Sequence, residues 1–295
     1  TLREDGWIWA HFPLSDQRSR DFLSHVAGAP AAALSLMAGP EEGPRIQFEG
    51  EWAFGVLPDF EREFDGRSTG FGRLRFMFDS RRLFTARRHA LRIVDDVRHD
   101  IQQMKMARPL DAFLALNLRY CELAEDQVEA LSHDVDAIED RVLGAQSPLE
   151  ELNLGPIRRD LSRRHREVSA LRTAYHRAAI RHGREAPPNL IEHLPTLLQR
   201  TEDVDREITA LQDRARLIHE EIDTKITSAT NRTLRALTIL STLLMPPTLI
   251  VGAFGMNVNA IPFARDGAGF WLACLLCAVT IGAAYALLLR LRVLR

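Results

Sequence analysis

Two long uncharged segments near the end of the chain constrain its fold more than any other feature. No Asp, Glu, Lys or Arg occurs from Ala236 to Phe254 or from Phe270 to Leu289. The second segment would form about 30 Å of helix, which is enough to cross the hydrocarbon core of a bilayer. A buried helix of a soluble protein rarely stays uncharged for so long. The two segments therefore predict two membrane spans joined by a short loop.

The residues that flank these spans predict their orientation. Two arginines precede the first span and three follow the second, whereas the loop between Gly255 and Gly269 has only Arg265, which stands beside Asp266. By the positive-inside rule, both termini are expected in the cytoplasm and the loop outside. The first residues, TLREDGWIWAHF, lack the basic-then-apolar layout of a signal peptide, so none is expected.

The charge of the part before the spans excludes one class of function. Residues 1–233 contain 33 Lys and Arg and 39 Asp and Glu, a formal charge of about −6. A nucleic-acid-binding domain usually has a basic surface, so no nucleic-acid partner is expected.

The first 90 residues predict a small α/β domain. Short aromatic and β-branched runs bounded by Gly, Pro or Asp are typical of strands. They lie at Trp7–Phe12, Arg45–Leu57, Gly72–Asp79 and Arg82–Arg87. Between the first two, a helix is expected from Ser15, a plausible N-cap, through Val26.

From about Leu91 onward the apolar pattern becomes helical and long. Apolar residues at alternating three and four positions predict coiled-coil-like helices, and a breaker at Ser147–Pro156 predicts that the first two form an antiparallel hairpin. A third helix begins near Pro195 and meets no breaker before the first span. If it continues to Phe254, it has roughly 59 residues and is about 88 Å long. The stripes are Val128, Leu131, Val135, Ile138 and Val142 in the first helix, Ile157, Leu161, Val168, Leu171 and Tyr175 in the second, and Val204, Ile208, Leu211, Ala215, Ile218, Ile222 and Ile226 in the third.

The predicted fold class is therefore α+β, with an N-terminal α/β domain, long helices and two C-terminal transmembrane helices. The predicted segments are 1–90 for the cytoplasmic α/β domain, 91–233 for the long helices, 234–257 for the first span, 258–269 for the external loop, 270–289 for the second span and 290–295 for a basic cytoplasmic tail.

The first span carries a line of polar or small residues on one face. This line consists of Thr238, Ser241, Met245, Thr248 and Gly252, and it continues inward through Asn231, Thr227 and Thr224. Such a line is either a pore face in contact with water or a dry seam between packed helices. Two helices cannot enclose an aqueous path, so a pore requires several copies of the chain. Pro246 and Pro247 leave carbonyls without helical donors, which predicts a bend or a carbonyl-lined step.

The run MPPTLIVGAFGMN, Met245–Asn257, followed by a second span and a basic tail, resembles the CorA superfamily of divalent-cation transporters. The signature of this superfamily is Gly-Met-Asn at the outer end of the first of two C-terminal spans. Three further segments are similar to its zinc-transporting ZntB branch: the loop Asn257–Pro262, and the runs Phe78–Val97 and Thr230–Thr248.

The resemblance implies a homopentamer in a bacterial-type inner membrane, with the long helices forming a funnel. It implies that Gly255, Met256 and Asn257 hold an incoming hydrated cation at the external mouth. It also places a hydrophobic constriction at Met245 and a hydroxyl ring at Thr248. The transported divalent cation is the substrate, and no cofactor is expected.

Two departures from the family's patterns bear on the ion. The magnesium branch often has an acidic residue soon after the signature, whereas here Asp266 is the only acid in the loop. The zinc branch often has two glycines at the positions of Asn259 and Ala260. The first departure counts against a magnesium channel, and the second leaves the ion open. Zinc is the expected cation, and a CorA-like magnesium, cobalt or nickel channel is the alternative.

A membrane-anchored coiled-coil scaffold or sensor is the alternative from another class, but it does not account for the polar line. No nucleophile, base and orienting group occur in a recognisable arrangement, so an enzyme is not expected. Near the first span, His219, Glu220 and Asp223 either form charged rings at the inner mouth or lie on an exposed helix face. Cys274 and Cys277 are expected to be apolar fillers, and no metal-ligand set is predicted.

Overall fold

The computed structural model describes residues 6–40, 42–62, 70–100, 106–144, 153–181, 188–256 and 268–291. Two compact units form, Thr1–His219 and Glu220–Arg295. We call them unit 1 and unit 2.

Unit 1 contains a five-stranded sheet in the order β1-β5-β4-β3-β2. The strand β1 is parallel to β5, and the other neighbours are antiparallel. The predicted strands are confirmed, with Arg45–Leu57 divided in two at a turn where Gly50 has a φ of +60°. The strands are β1 (Ile8–Pro13), β2 (Arg45–Glu49), β3 (Trp52–Phe60), β4 (Phe71–Phe78) and β5 (Arg82–Arg87).

Two short helices, α1 (Gln17–Leu23) and α2 (Ala31–Ala38), pack with Trp52 and Phe54 in one apolar core. The expected helix after β1 is confirmed, but its bounds were wrong. Asp16 is the N-cap, because its side chain accepts from the amide of Arg18, and the helix ends before Val26. Helix α2 was not predicted, since AAALSLMA is almost uniformly apolar and has no helical periodicity to detect.

A buried arginine connects α2 to the sheet. Arg75 on β4 donates hydrogen bonds to the carbonyl oxygens of Leu36, Met37, Gly39 and Pro40 at 2.8–3.1 Å. These carbonyls lie at the end of α2, where the helix itself supplies no donors. The cost of burying the guanidinium is therefore compensated by hydrogen bonds to these neutral carbonyl oxygens.

Three longer elements pack with the sheet of unit 1: α3 (Arg92–Asp100), α4 (Pro109–Gly144) and α5 (Gly155–Arg181). The rings of Phe76 and Phe113 lie 4.8 Å apart, and Arg73 pairs with Glu167 at 2.6 Å. Helices α4 and α5 form the predicted antiparallel hairpin, in which the hydroxyl of Tyr175 donates to Asn117 Oδ1.

A single helix, α7 (Leu194–Phe254), follows the one-turn α6 (Pro188–Ile191) and contains 61 residues. The predicted continuation of the third long helix into the first span is confirmed, and the helix is about 92 Å long. Its first part belongs to unit 1, where Arg214 pairs with Asp136 of α4 at 2.6 Å. Together with α8 (Ala268–Arg290), α7 provides two candidate membrane spans. Pro246 and Pro247 lie inside α7 without ending it.

Asp59 is a buried carboxylate that fixes the start of α3. Its Oδ1 atom accepts from the amides of Phe60 at 2.6 Å and Ile93 at 3.1 Å. Burial raises the pKa of Asp59 to about 7, even though these amides and that of Val94 favour the charged form. Within the described part of the chain, Oδ2 has no hydrogen-bond partner.

We expect Asp59→Asn to flatten the dependence of stability on pH. Since the folded-state pKa is above the unfolded value, the stabilising contribution of Asp59 is complete below about pH 4 and is lost as the pH rises through about 7. Asparagine keeps the Oδ1 acceptor and has no charge to bury. The variant should therefore gain stability relative to the wild type between pH 5 and pH 8, by at most about 4 kcal/mol.

The measurement is denaturant unfolding of the full chain in detergent, followed by tryptophan fluorescence at four pH values. The exposed carboxylate Asp21 provides the control, Asp21→Asn. Parallel stability profiles for wild type and Asp59→Asn would contradict the prediction.

Candidate functional site

The polar line predicted on the first span lies on the exposed side of α7 in unit 2. Its members are Thr238, Ser241, Met245, Thr248 and Gly252, and all five are exposed. Met245 is 74% exposed, one of the highest values on the helix. A Cβ built on Gly252 would meet nothing within 4 Å, so this glycine is not needed for packing within the protomer.

Helix α8 contacts α7 on a different side. Cys277 Sγ lies 4.0 Å from the carbonyl oxygen of Pro247, and both residues are half-buried. The other half-buried residues of the span share this side with Pro247, and they are Ile239, Thr242, Leu243, Pro246, Ile250 and Phe254. The seam between α7 and α8 is therefore not the polar line.

The two threonine hydroxyl groups on the polar line donate their protons within α7. Thr238 Oγ1 donates to the carbonyl of Leu234 at 2.8 Å, and Thr248 Oγ1 donates to the carbonyl of Leu244 at 2.7 Å. Both threonine protons are used within the helix, which leaves the oxygen lone pairs for an outside donor. The water molecules around a cation point their hydrogen atoms outward and can supply such donors.

A shallow concavity on α7 extends this surface. Sequence reasoning missed its apolar rim, although those residues are adjacent in helical phase to Met245 and Thr248. Leu234 and Leu237 lie outside it, and both leucines are more than half exposed. The concavity is lined by Leu240, Ser241, Leu244, Met245, Thr248, Leu249, Gly252, Ala253 and Met256.

Of the Gly-Met-Asn signature at the outer end of the first span, the structure describes Gly255 and Met256. Helix α7 ends at Phe254, and the amides of Gly255 and Met256 still donate to the carbonyls of Val251 and Ala253. The Met256 side chain is 59% exposed. Asn257 and the loop with Asp266 lie outside the described residues.

The residues predicted near the inner end are also exposed on α7. Asn231, Glu220 and Asp223 belong to unit 2, whereas His219 is the last residue of unit 1. His219 and Asp223 both take part in polar interactions. Within the described ranges, no group of three or more His, Cys, Asp or Glu side chains could hold a metal ion.

The structure thus combines an α/β unit, long helices and, at its C-terminal end, two helices that are long and apolar enough to cross a membrane. The sequence matches the family model of CorA-like Mg2+ transporter proteins over residues 4–290. The chain belongs to this family, and it is therefore a member of a family of divalent-cation transporters.

Several relatives are similar over nearly the whole chain. The zinc transport protein ZntB of Pectobacterium carotovorum is 21% identical over 287 residues, which covers 93% of this chain and 84% of the relative. The divalent cation transporter CmaX of Pseudomonas aeruginosa is 24% identical over 273 residues, covering 91% and 82%. The solved structure of full-length CmaX superimposes with a TM-score of 0.81 at 22% identity, covering 99% of this chain and 90% of the other. The predicted fold class and family resemblance are confirmed.

Cysteine labelling distinguishes a water-contacting face from a dry seam. In a variant whose native cysteines, Cys121, Cys274 and Cys277, are replaced by alanine, we expect Ser241→Cys and Thr248→Cys to react with a membrane-impermeant thiol reagent. Thiols react as thiolates, which form in water and are disfavoured in apolar surroundings.

The matched controls are Leu243→Cys and Ile250→Cys on the half-buried side of the same helix. The polar-line cysteines should react at least about tenfold faster in liposomes, because they are more often ionised. Equal, slow labelling at all four positions would indicate a dry seam.

Proposed function

We propose that this chain forms a homopentamer in which the polar line of α7 surrounds a central pore for divalent cations, with zinc as the transported ion. One observation carries the proposal. Helix α8 occupies the proline side of α7, so the line from Thr238 to Gly252 is uncovered within the protomer.

A single protomer cannot conduct in this way. Polar groups at membrane depth must meet protein or water, and one helical hairpin has no interior. Several copies of α7 arranged around an axis would give the polar line an aqueous lumen. In that arrangement α8 faces lipid, in agreement with its uniformly apolar composition.

The chemistry of the line suits a hydrated ion. Hydroxyl oxygens of Thr238, Ser241 and Thr248 would accept from the water molecules around the cation, and Met245 would provide an apolar constriction between them. At the external mouth, the amide of Asn257 would hold the ion's outer waters, with Gly255 and Met256 forming the turn. Asn231 would continue the line inward from Thr238 and Gly252. No covalent step is involved.

The proposed topology places both termini in the cytoplasm and the loop 258–269 outside, in a bacterial-type inner membrane. The spans are 234–257 and 270–289. Near the inner end, Glu220, Asp223 and His219 would form charged rings that concentrate cations.

Two features support zinc as the ion. The ZntB relative is named as a zinc transport protein, and Asp266 is the only acid in the loop of this chain. The family description favours magnesium as the second candidate. A transport assay with both ions separates the two.

We expect Asn257→Ala to reduce zinc entry into liposomes at least about tenfold, because the first site for the hydrated ion is lost. Thr248→Val should also lower the flux, since a methyl group replaces the accepting hydroxyl. The measurement is the fluorescence of a zinc-sensitive dye trapped inside the vesicles, repeated with magnesium and with an imposed pH gradient.

The control is Thr280→Val in α8, which removes a similar helix-bonded hydroxyl away from the polar line. It should leave zinc entry unchanged. Magnesium entry without zinc entry would establish the second candidate. No flux of either ion would favour a membrane-anchored scaffold.

A further inference from the structure

Two surfaces of the α4–α5 hairpin carry opposite charge. Exposed carboxylates on α4 form the acidic surface, which consists of Asp126, Glu129, Asp134 and Asp140. Exposed arginines on α5 form the basic surface, which consists of Arg158, Arg159, Arg166 and Arg177.

These eight residues differ from most charged residues around them. Arg164 pairs with Asp160 at 2.9 Å, Arg172 with Asp205 at 2.8 Å, and Arg214 with both Asp136 and Glu139. None of the eight has an ion-pair partner within the described residues. Their charges are thus available for a partner outside the protomer.

Two residues of each surface lie at matching heights along the hairpin. The hydrogen bond from Tyr175 to Asn117 sets residue 117 of α4 level with residue 175 of α5. Because both helices rise 1.5 Å per residue in opposite directions, equal numbers of steps from these two residues reach equal heights. Asp126 lies nine residues from Asn117, and Arg166 lies nine residues from Tyr175. Asp134 and Arg158 each lie seventeen residues from the same two reference positions.

Although they are level, the carboxylates and arginines do not pair within the described chain. A cyclic assembly would bring them together between neighbours. Copies in a ring are related by a rotation without a shift along the axis, so residues of equal height meet if the axis runs along the hairpin. The contact is heterologous, since it joins α4 of one copy to α5 of the next.

We propose that the acidic surface of one copy docks on the basic surface of the next, with Asp126 opposite Arg166 and Asp134 opposite Arg158. This inference rests on the ring-shaped oligomer of the proposed function and defines which surfaces of unit 1 are in contact. The partner is a second copy of this chain, because the ring then matches every acidic surface with a basic one. An anionic lipid or polyanion would match the arginines alone.

The decisive experiment tests whether residue 126 of one copy lies close to residue 166 of the next. A stability measurement would not serve, because exposed ion pairs contribute little to stability and one substitution would not dissociate the ring. In the variant lacking the three native cysteines, we would introduce Asp126→Cys and Arg166→Cys and add a short bismaleimide. A flexible reagent is needed because ion-paired side chains keep their Cα atoms too far apart for a disulfide. We expect a ladder of linked chains up to the size of the ring.

The matched control pair is Asp140→Cys with Arg177→Cys, two positions that are also exposed on the same two helices. These positions differ in height by about 37 Å, so linked product should be at least about tenfold lower than for the level pair. Either single-cysteine variant alone should give no linked dimers, whereas a mixed assembly of the two should give dimers only. Linking by one single variant alone would indicate a two-fold contact and overturn the proposal.

Exchanging the charges of residues 126 and 166 tests whether electrostatic attraction holds the two surfaces together. With cysteines at Asp134 and Arg158 as reporters, Arg166→Asp should reduce the linked yield severalfold, and adding Asp126→Arg should restore it. No recovery in the exchanged variant would overturn the assigned pairing.

Native mass spectrometry and zinc flux on the same samples separate the two proposals. If the oligomer is intact and conducts zinc but Asp126→Cys and Arg166→Cys are not cross-linked, the docking of the two surfaces is overturned. The proposed pore is then unaffected. A monomer would overturn both. Links that form in detergent but vanish in liposomes of anionic lipid would assign the basic surface to lipid headgroups instead.

Discussion

Polar groups at membrane depth must meet protein or water, and the arrangement of unit 2 follows from this constraint. Helix α7 satisfies its own threonine protons by bonding them to carbonyls one turn back. The hydroxyl oxygens remain on the outer side as acceptors. Because α8 lies against the proline side, the structure leaves these acceptors for other copies of the chain or for water.

The proline pair fits this division of α7 into two sides. Pro247 has no amide hydrogen, so the carbonyl of Leu243 lacks its usual donor one turn later. Both residues lie on the half-buried side, and the Pro247 carbonyl itself is contacted by Cys277. Cys277 therefore acts as a small packing residue with a weak donor, which agrees with its expected role as a filler. The irregular backbone is placed where α8 covers it.

The sequence was sufficient for the long elements and for placing the residues of the polar line on one side of α7. Strict periodicity over many residues predicted α4, α5 and α7, and the absence of charge predicted both spans. It could not predict α2, whose eight residues give no periodic signal, or the end of α1 before Val26. Which side of α7 meets α8 was also hidden, since both sides of a span can be apolar or small.

The chemistry of the polar line also limits how zinc could be selected. Protein sites that bind bare zinc use cysteine, histidine or carboxylate ligands, whereas the line from Thr238 to Gly252 has hydroxyls, a thioether and a glycine. Ligands of this kind cannot replace the water around a divalent cation without a large cost. In the proposed pore, discrimination between zinc and magnesium would therefore act on the hydrated ion at Asn257, through the readiness with which its waters exchange, since Mg²⁺ dehydrates reluctantly. Outer-sphere contacts of this kind would hold the ion at the mouth and still let it leave, because they are weak enough for passage.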